Sequence, residues 1–257
     1  MTAVTRAEYA RQRGWSRGTV TRAVQSGRLI ETPDGLIDIE ASDERYAATA
    51  DPGRADVALV STPDLLEFVP GAKLMPGPVD LSKWTPRTPR ATPITHDEPV
   101  RILHAPSDRE IKGTRYLLDA IERLRAEGYP VELLMLEGVP HDQVVEFCGK
   151  ADLAVDQLMI GAYGTVSIEM MAKAVPVVCR IRDDLRHHYP TDLPVVHSEP
   201  GDVYDVLRRL LEKPESWAEL GHRGRGYVER EHEMHRVAER TLALYGLPQA
   251  SQASLHS

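Results

Sequence analysis

The sequence has few cysteines and no long run of uncharged apolar residues. Its 257 residues include two cysteines, Cys148 and Cys179, and neither lies in a CxxC motif or a Cys/His cluster. We therefore expect reduced, structural thiols, and neither a disulfide framework nor any metal site is predicted. No stretch approaches the roughly 20 apolar residues of a membrane helix, and the N-terminus has no apolar signal core. A cytoplasmic protein without a membrane span is predicted.

The chain also lacks a net positive charge, which argues against a protein that coats nucleic acid over its whole surface. The net charge is −8 at pH 7, but residues 1–30 carry six arginines against one glutamate. Residues 31–50 reverse this balance with six acidic residues against one arginine. Any nucleic-acid contact is therefore expected within the first 30 residues.

What is present is the composition of a globular protein, with 42% hydrophobic and 27% charged residues. Shifts in pattern divide the chain into four segments. Residues 1–50 read as a small helical module, and residues 51–99 as a strand, a short helix and a proline-rich linker that follows Trp84. Residues 100–246 read as an α/β domain, and residues 247–257 as a disordered polar tail.

The N-terminal segment carries helix and turn signals in close succession. Thr5-Arg6-Ala7-Glu8 has the capping-box pattern that begins a helix, and Gly14 can end it. A second amphipathic helix is predicted over residues 17–26, and Pro33-Asp34-Gly35 predicts the turn of a small hairpin or wing. The order helix, turn, helix, hairpin is typical of small DNA-binding modules.

This segment resembles the helix-turn-helix or winged-helix modules of phage terminase small subunits and MerR-like regulators, which favours a phage-encoded protein. The resemblance covers about fifty residues and rests on Glu8-Tyr9-Ala10, Gly14-Trp15-Ser16, Val20 and Gly27-Arg28. It implies that the second helix contacts DNA through Arg17, Thr21, Arg22 and Gln25. The alternatives are that these arginines only solvate a short helix, or that the module docks protein.

From Val100 onward, short apolar runs alternate with amphipathic segments of helical length. The apolar runs lie near residues 100–103, 131–136, 153–155, 175–178 and 195–196. Strands this apolar, separated by helices, predict a parallel sheet that is covered on both faces. The predicted fold class is α/β, a Rossmann-like domain joined to the small N-terminal module.

Ligands of such sheets bind beyond the carboxyl ends of the strands, so the loops at that edge hold the candidate residues. The loop after the first strand carries Arg109 and Lys112 beside Gly113, at the start of a helix. Two cations next to helix N-terminal amides suit a diphosphate. The alternative is that both are plain surface residues.

The loop after the third strand carries Gly161, Tyr163 and Gly164, followed by a mostly apolar helix that contains Glu169. Glycines there permit a close backbone approach to a ligand. A carboxylate on an apolar helix is costly to bury without a partner, and a ribose diol would supply one. Capping, or pairing with a nearby arginine, is the alternative for Glu169.

Together these loops resemble the C-terminal, donor-binding half of a family-4 glycosyltransferase of the GT-B fold. The resemblance covers about residues 55–246, with residues 51–99 similar to the end of the family's N-terminal domain. The motifs are residues 107–113, Glu137-Gly138-Val139-Pro140-His141, Gly161-Ala162-Tyr163-Gly164, Glu169-Met170-Met171-Ala172-Lys173 and Val175-Pro176-Val177-Val178. Their order as well as their content matches the family.

The resemblance implies retaining transfer of a sugar from a UDP- or GDP-type nucleotide sugar to an unknown acceptor, without a metal or other cofactor. Arg109 and Lys112 would hold the diphosphate and Glu169 the ribose, so these three groups should converge on one pocket. Further contacts to the nucleotide sugar are expected from Ser107, Gly113, Gly161, Tyr163, Gly164 and Thr165.

Two departures from the family pattern leave alternatives open. The family usually has a second glutamate where Gly161 stands, and Asp156 or Gln157 is a possible substitute. Most of the first Rossmann-like domain is also missing, so a partner subunit or a second copy of the chain is a candidate source of the acceptor half. The other hypothesis is a DNA-binding or scaffold protein whose nucleotide-sugar domain is a sensor or a relic.

Overall fold

A computed structural model describes residues 3–13, 17–25, 29–42, 57–88, 90, 94–139 and 141–245. The chain forms two compact units, residues 1–58 and residues 59–257. Each unit has its own hydrophobic core.

The first unit contains two short helices and a small antiparallel sheet. Strand β1 (Ala3–Val4) pairs with β2 (Ile37–Asp38), and helices α1 (Arg6–Arg13) and α2 (Arg17–Gln25) lie between them in sequence. The predicted capping box is present, because the Glu8 amide donates to Thr5 Oγ1 and the Thr5 amide donates to a Glu8 carboxylate oxygen. The core holds Tyr9, Ala10, Val20, Ala23, Leu29 and Ile37.

The second unit is built on a five-stranded parallel sheet. Its strands are β5 (Val100–His104), β6 (Val131–Met135), β7 (Leu153–Val155), β8 (Val177–Cys179) and β9 (Val196–His197). Their spatial order is β6-β5-β7-β8-β9, so the order reverses between β5 and β7. β7 and β8 are buried on both faces and read in the sequence as unbroken apolar runs, whereas β5 is buried except for Arg101. All five strands pair in parallel, which confirms the predicted sheet.

Helices cover both faces of this sheet. They are α3 (Arg109–Lys112), α4 (Thr114–Ala126), α5 (His141–Lys150), α6 (Thr165–Ala172), α7 (Val203–Glu212), α8 (Ser216–Glu231) and α9 (Met234–Leu244). Helix α4 packs with α7 over one hydrophobic cluster, and α6 packs with α8 over the other. Within the described ranges, every helix is too short or too polar to span a lipid bilayer.

Residues 59–79 form a small annex of the second unit. Strands β3 (Leu59–Val60) and β4 (Lys73–Leu74) pair in parallel, and a 3₁₀-helix (Pro63–Glu67) connects them. The annex then joins the C-terminal helices, because the Val79 amide donates to the His232 carbonyl and the Met234 amide to the Val79 carbonyl.

The proline-rich segment after the annex differs from the free linker that its composition predicts. Trp84 is buried in the core of the second unit, and its carbonyl accepts a hydrogen bond from Arg225. Arg87 and Arg90 both form ion pairs with the buried Asp152, at 2.9 and 3.1 Å. The prolines remove backbone hydrogen-bond donors, but the buried Trp84 and the two ion pairs to Asp152 still hold the segment against the domain.

Two glycines on α8 provide a matched test of how tightly this helix packs. A Cβ on Gly221 would lie within 2.8 Å of the Ala174 carbonyl carbon, whereas on Gly226 the nearest atom would be 3.7 Å away. We expect Gly221→Ala to lower the free energy of unfolding by about 1–3 kcal/mol, since backbone must move. Gly226→Ala should be neutral or raise it by up to about 1 kcal/mol, because alanine favours helix. Denaturant unfolding of both variants measures these free energies. Equal changes in the two variants would contradict the close packing of α8 at Gly221.

Candidate functional site

The strand order reverses between β5 and β7, and a cleft lies there at the carboxyl edge of the sheet. In open parallel sheets this is the position where ligands bind. The cleft has a volume of about 520 Å³. It is lined by the loop after β5, by the loop after β7 with the start of α6, and by the 59–79 annex. The residues that line it are Ser61, Thr62, Asp64, Leu65, Gly77, Ala105, Ser107, Lys112, Gln157, Ile160, Tyr163, Gly164, Thr165, Val166 and Ile168.

The loop after β5 turns Lys112 inward. Asp108 begins the short helix α3 by accepting hydrogen bonds from the backbone amides of Glu110 and Ile111. Gly113 ends this helix with a φ of 69°, a left-handed conformation that glycine adopts without strain. A Cβ at Gly113 would also lie 2.8 Å from Leu158 Cβ. The glycine therefore lets α3 end and α4 begin against the loop after β7.

Lys112 forms a buried ion pair with Asp156, the residue that directly follows β7. The ammonium Nζ lies 2.5 Å from Asp156 Oδ1. Asp156 Oδ2 accepts hydrogen bonds from the Ser167 hydroxyl at 2.6 Å and from the backbone amides of Ser167 and Gly164. Burial alone would raise the pKa of Asp156, but the Lys112 ammonium and these hydrogen bonds outweigh it and lower that pKa. The pair fixes a cation at the cleft wall, next to the N-terminus of α6.

Arg109 faces a neighbouring groove rather than the cleft. Its guanidinium makes two parallel hydrogen bonds with the Glu137 carboxylate, at 2.7 and 2.6 Å. These bonds raise the pKa of Arg109 and lower that of Glu137. The groove has a volume of about 490 Å³ and is also lined by Thr114, Arg115 and Met159, among others.

Glu169 lies in the second turn of α6 and is buried, with 6% of its surface exposed. Burial, and then the nearby Asp156 carboxylate, raise the pKa of Glu169 to about 7. It does not line the cleft. The convergence expected of Arg109, Lys112 and Glu169 is therefore not seen in this structure. Among these three, Lys112 alone lines the cleft, since Arg109 pairs with Glu137 and Glu169 is turned into the domain.

The predicted glycine-rich loop after β7 packs closely on the domain. Tyr163 is among the residues that line the cleft, and its hydroxyl is hydrogen-bonded to the Tyr227 hydroxyl at 3.0 Å and to His232 at 2.9 Å. Gly161 has a φ of 87°, and a Cβ there would collide with the Arg182 side chain. Gly164 and the exposed Thr165 line the cleft at the start of α6, and Ser107 lines it from the loop after β5.

Asp156 and Gln157, the two possible substitutes for the family's second glutamate, already form hydrogen bonds within the protein. Asp156 is held by Lys112, Ser167 and the Gly164 amide, and the Gln157 amide donates to the Ala162 carbonyl at 2.8 Å. The buried His104 at the end of β5 is likewise structural. Its ring nitrogens lie 2.8 Å from the Val155 carbonyl and 2.9 Å from the Thr114 hydroxyl, and burial lowers its pKa.

The predicted DNA-contacting residues lie on α2 of the first unit. Thr21 is half-buried and Gln25 is exposed. The side chains of Arg17 and Arg22 lie outside the described residues. DNA contact by this helix therefore stays a prediction.

Glu137 and the anchoring role of Asp156 are two features that the sequence interpretation missed. Asp156 directly follows β7 and Glu137 lies two positions after the end of β6, which puts both at the carboxyl edge where the cations lie. A search for acids within two residues of each strand end would have found these partners of Arg109 and Lys112.

Comparison with known proteins places this site in a family. Residues 109–243, more than half of the chain, match the glycosyl transferase-like family. The chain belongs to this family. No curated protein is significantly similar to this glycosyl transferase-like chain in sequence.

Solved glycosyltransferase structures have the same fold as this family member. Sucrose-phosphate synthase from Thermosynechococcus elongatus has a TM-score of 0.58 and 20% identity, over 84% of this chain and 63% of that chain. HepE of Anabaena in complex with UDP and glucose has a TM-score of 0.59 and 13% identity, over 79% and 66%. A TarM variant of S. aureus in a complex that contains UDP has a TM-score of 0.57 and 16% identity, over 83% and 48%. The chain thus spans about half to two thirds of these structures.

Proposed function

We propose that the chain binds a nucleotide-diphosphate sugar in the cleft between β5 and β7 and transfers the sugar to an acceptor. The observation that carries the proposal is the position of Lys112. Its ammonium is fixed by Asp156 at 2.5 Å and borders a cleft that also contains the start of α6. A fixed cation beside helix N-terminal amides suits the two charges of a diphosphate.

The same arrangement suits the reaction as well as binding. When a glycosidic bond to a diphosphate breaks, negative charge grows on the departing phosphate oxygens. A cation held in place before the reaction stabilises that charge without reorganisation. Lys112 cannot swing away from the cleft without leaving Asp156 as an unpaired buried charge. The ion pair is therefore a means of pre-organising the ammonium.

Several finer features belong to this proposal. The solved relatives whose complexes contain UDP or UDP-glucose support a nucleotide-sugar donor, of either the UDP or the GDP type. Retention of stereochemistry follows from the family-4 resemblance. We propose that a partner subunit or a second copy of the chain supplies the acceptor-binding half. We also propose that residues 1–50 recruit a partner, DNA or protein, through α2.

The proposal is tested by calorimetric titration of the full chain with UDP-glucose, UDP-N-acetylglucosamine and GDP-mannose. Saturable binding of at least one compound is expected, followed by slow release of UDP or GDP when the mixture is incubated. If none of the three compounds, nor UDP or GDP alone, binds at low salt, the proposed function is rejected.

Arg109 is expected to contribute less to nucleotide binding than its sequence position suggests, because it is exposed and already forms an ion pair with Glu137. Arg109→Ala should weaken UDP or GDP binding by about tenfold, and by less at high salt. Arg101→Ala is the matched control, since Arg101 forms a similar exposed pair with Glu132 near the opposite end of β5. Calorimetric titration of both variants measures the difference in affinity. Equal affinities for the two variants would show that Arg109 makes no specific contribution to nucleotide binding.

A further inference from the structure

A buried histidine at the end of α8 lies between two of the segments that line the cleft. His232 directly follows α8 and is 1% exposed. Its backbone amide donates to the Val228 carbonyl, and its own carbonyl accepts a hydrogen bond from the Val79 amide. The backbone at His232 is therefore fixed by the helix and by the end of the annex.

Both ring nitrogens of His232 are hydrogen-bonded to residues that line the cleft. Nδ1 lies 2.8 Å from the carbonyl oxygen of Gly77 in the annex, and Nε2 lies 2.9 Å from the hydroxyl of Tyr163 in the loop after β7. Gly77 and Tyr163 line the cleft, whereas His232 is not among the described residues that do so. One side chain behind the cleft thus joins two of its segments.

The chemistry of the groups fixes the direction of each hydrogen bond. Burial lowers the pKa of His232, whose charged neighbours are Glu231 and Arg240, so the ring is neutral at pH 7 and has one donor and one acceptor. The Gly77 carbonyl can only accept, so Nδ1 donates to it. Nε2 then accepts from the Tyr163 hydroxyl, which accepts in turn from the Tyr227 hydroxyl at 3.0 Å.

We propose that His232 is a positioning residue for nucleotide binding, which holds Gly77 of the annex and Tyr163 of the glycine-rich loop at the spacing that a bound nucleotide needs. This inference rests on the proposed function, because it requires a nucleotide in the cleft. Tyr163 directly precedes Gly164 at the start of α6, so a shift of its ring also shifts the amides proposed to bind the diphosphate. Segments fixed before binding lose less conformational freedom when the ligand arrives.

The competing explanation is that this chain of hydrogen bonds only stabilises the core. Tyr227 supplies the matched control, because it is buried, bonds to the same Tyr163 hydroxyl and is not among the described residues that line the cleft. Tyr227→Phe removes one buried hydrogen bond and leaves both segments attached to His232. His232→Asn and His232→Gln also remove one bond each, but each variant releases one segment.

The two histidine variants release different segments. The asparagine amide takes the position of Nδ1 and can still donate to the Gly77 carbonyl, but it does not reach Tyr163. The glutamine amide takes the position of Nε2, and its oxygen can still accept from the Tyr163 hydroxyl, but the bond to Gly77 is lost.

Hydrogen exchange of the full chain without ligand tests whether His232 joins the two segments. We expect His232→Asn to speed exchange in residues 161–167 and His232→Gln to speed it in residues 73–79, each by about two- to tenfold. A variant that only destabilised the fold would speed exchange in both segments alike. Equal acceleration of both segments by both variants therefore overturns the proposal.

Calorimetric titration with UDP, GDP and UDP-glucose tests whether this connection serves binding. His232→Asn, His232→Gln and Tyr163→Phe should each weaken the affinity for the bound nucleotide by about tenfold. Tyr227→Phe should change it by less than about twofold while lowering the melting temperature as the other variants do.

The outcomes separate this inference from the proposed function. If the wild type binds UDP or GDP and all four variants bind it equally well, the positioning role fails and the proposed function survives. If the His232 variants do not fold, Tyr163→Phe against Tyr227→Phe decides in the same way. If the wild type binds none of the three compounds at low salt, both fail.

Discussion

Lys112→Met is expected to reduce sugar transfer by about 10²- to 10³-fold and to lower the free energy of unfolding by about 3–5 kcal/mol. Both effects come from one ammonium. It stabilises the departing diphosphate in the proposed reaction, and it neutralises Asp156, which is 1% exposed. Removing it leaves a buried carboxylate that only Ser167 and the Gly164 amide still contact. Activity assays and denaturant unfolding measure the two effects separately.

The double variant Lys112→Met with Asp156→Asn separates stability from activity. The asparagine oxygen can still accept the hydrogen bonds from Ser167 and Gly164, and no charge is left buried. We expect its stability to return to within about 2 kcal/mol of wild type, since replacing both partners of a buried pair is far less costly than removing one. Transfer should remain reduced by about 10²- to 10³-fold, as in Lys112→Met. Recovery of transfer in this double variant would show that Lys112 acts only in folding.

Glu169→Gln is expected to stabilise the protein at pH 8 by up to about 3 kcal/mol and to have little effect near pH 4.5. The pKa of Glu169 is raised from 4.5 to about 7 by burial and by Asp156. The protonated form of Glu169 therefore makes its full contribution to the free energy of unfolding below pH 4.5, and this contribution is lost as pH rises through 7. Glutamine resembles the protonated form at every pH, so the difference between variant and wild type should grow between pH 4.5 and 8.

The control for this prediction is Glu146→Gln on α5, an exposed glutamate that pairs with Lys150. It should leave the pH dependence of unfolding nearly unchanged. Thermal unfolding of wild type and both variants across this pH range provides the measurement. A Glu169→Gln variant whose stability stays parallel to wild type from pH 5 to pH 8 would contradict the assigned environment of Glu169.

The fold of the second unit follows from the sequence because its signals are local and repeated. The apolar runs that become β7 and β8 are buried on both faces, β5 is buried except for Arg101, and the amphipathic segments become α4 and α6. The motif order led to the glycosyltransferase family, and the match over residues 109–243 confirms it. The helix-turn-helix interpretation of residues 1–50 stays a prediction.

The contacts within the site could not be predicted from the sequence, because they join segments that are distant along the chain. Nothing in the spacing of Arg109 and Lys112 shows that one pairs with Glu137 and the other with Asp156. The docking of the proline-rich segment depends on Arg87 and Arg90 meeting Asp152, more than 60 positions later.

The central claim is that a nucleotide diphosphate binds where the strand order reverses, between β5 and β7. A crystal structure of the full chain with bound UDP or GDP tests it most directly. Diphosphate oxygens are expected within hydrogen-bond distance of the Lys112 ammonium and of backbone amides at the start of α6. A nucleotide bound elsewhere, with the Lys112 cleft empty, would contradict it.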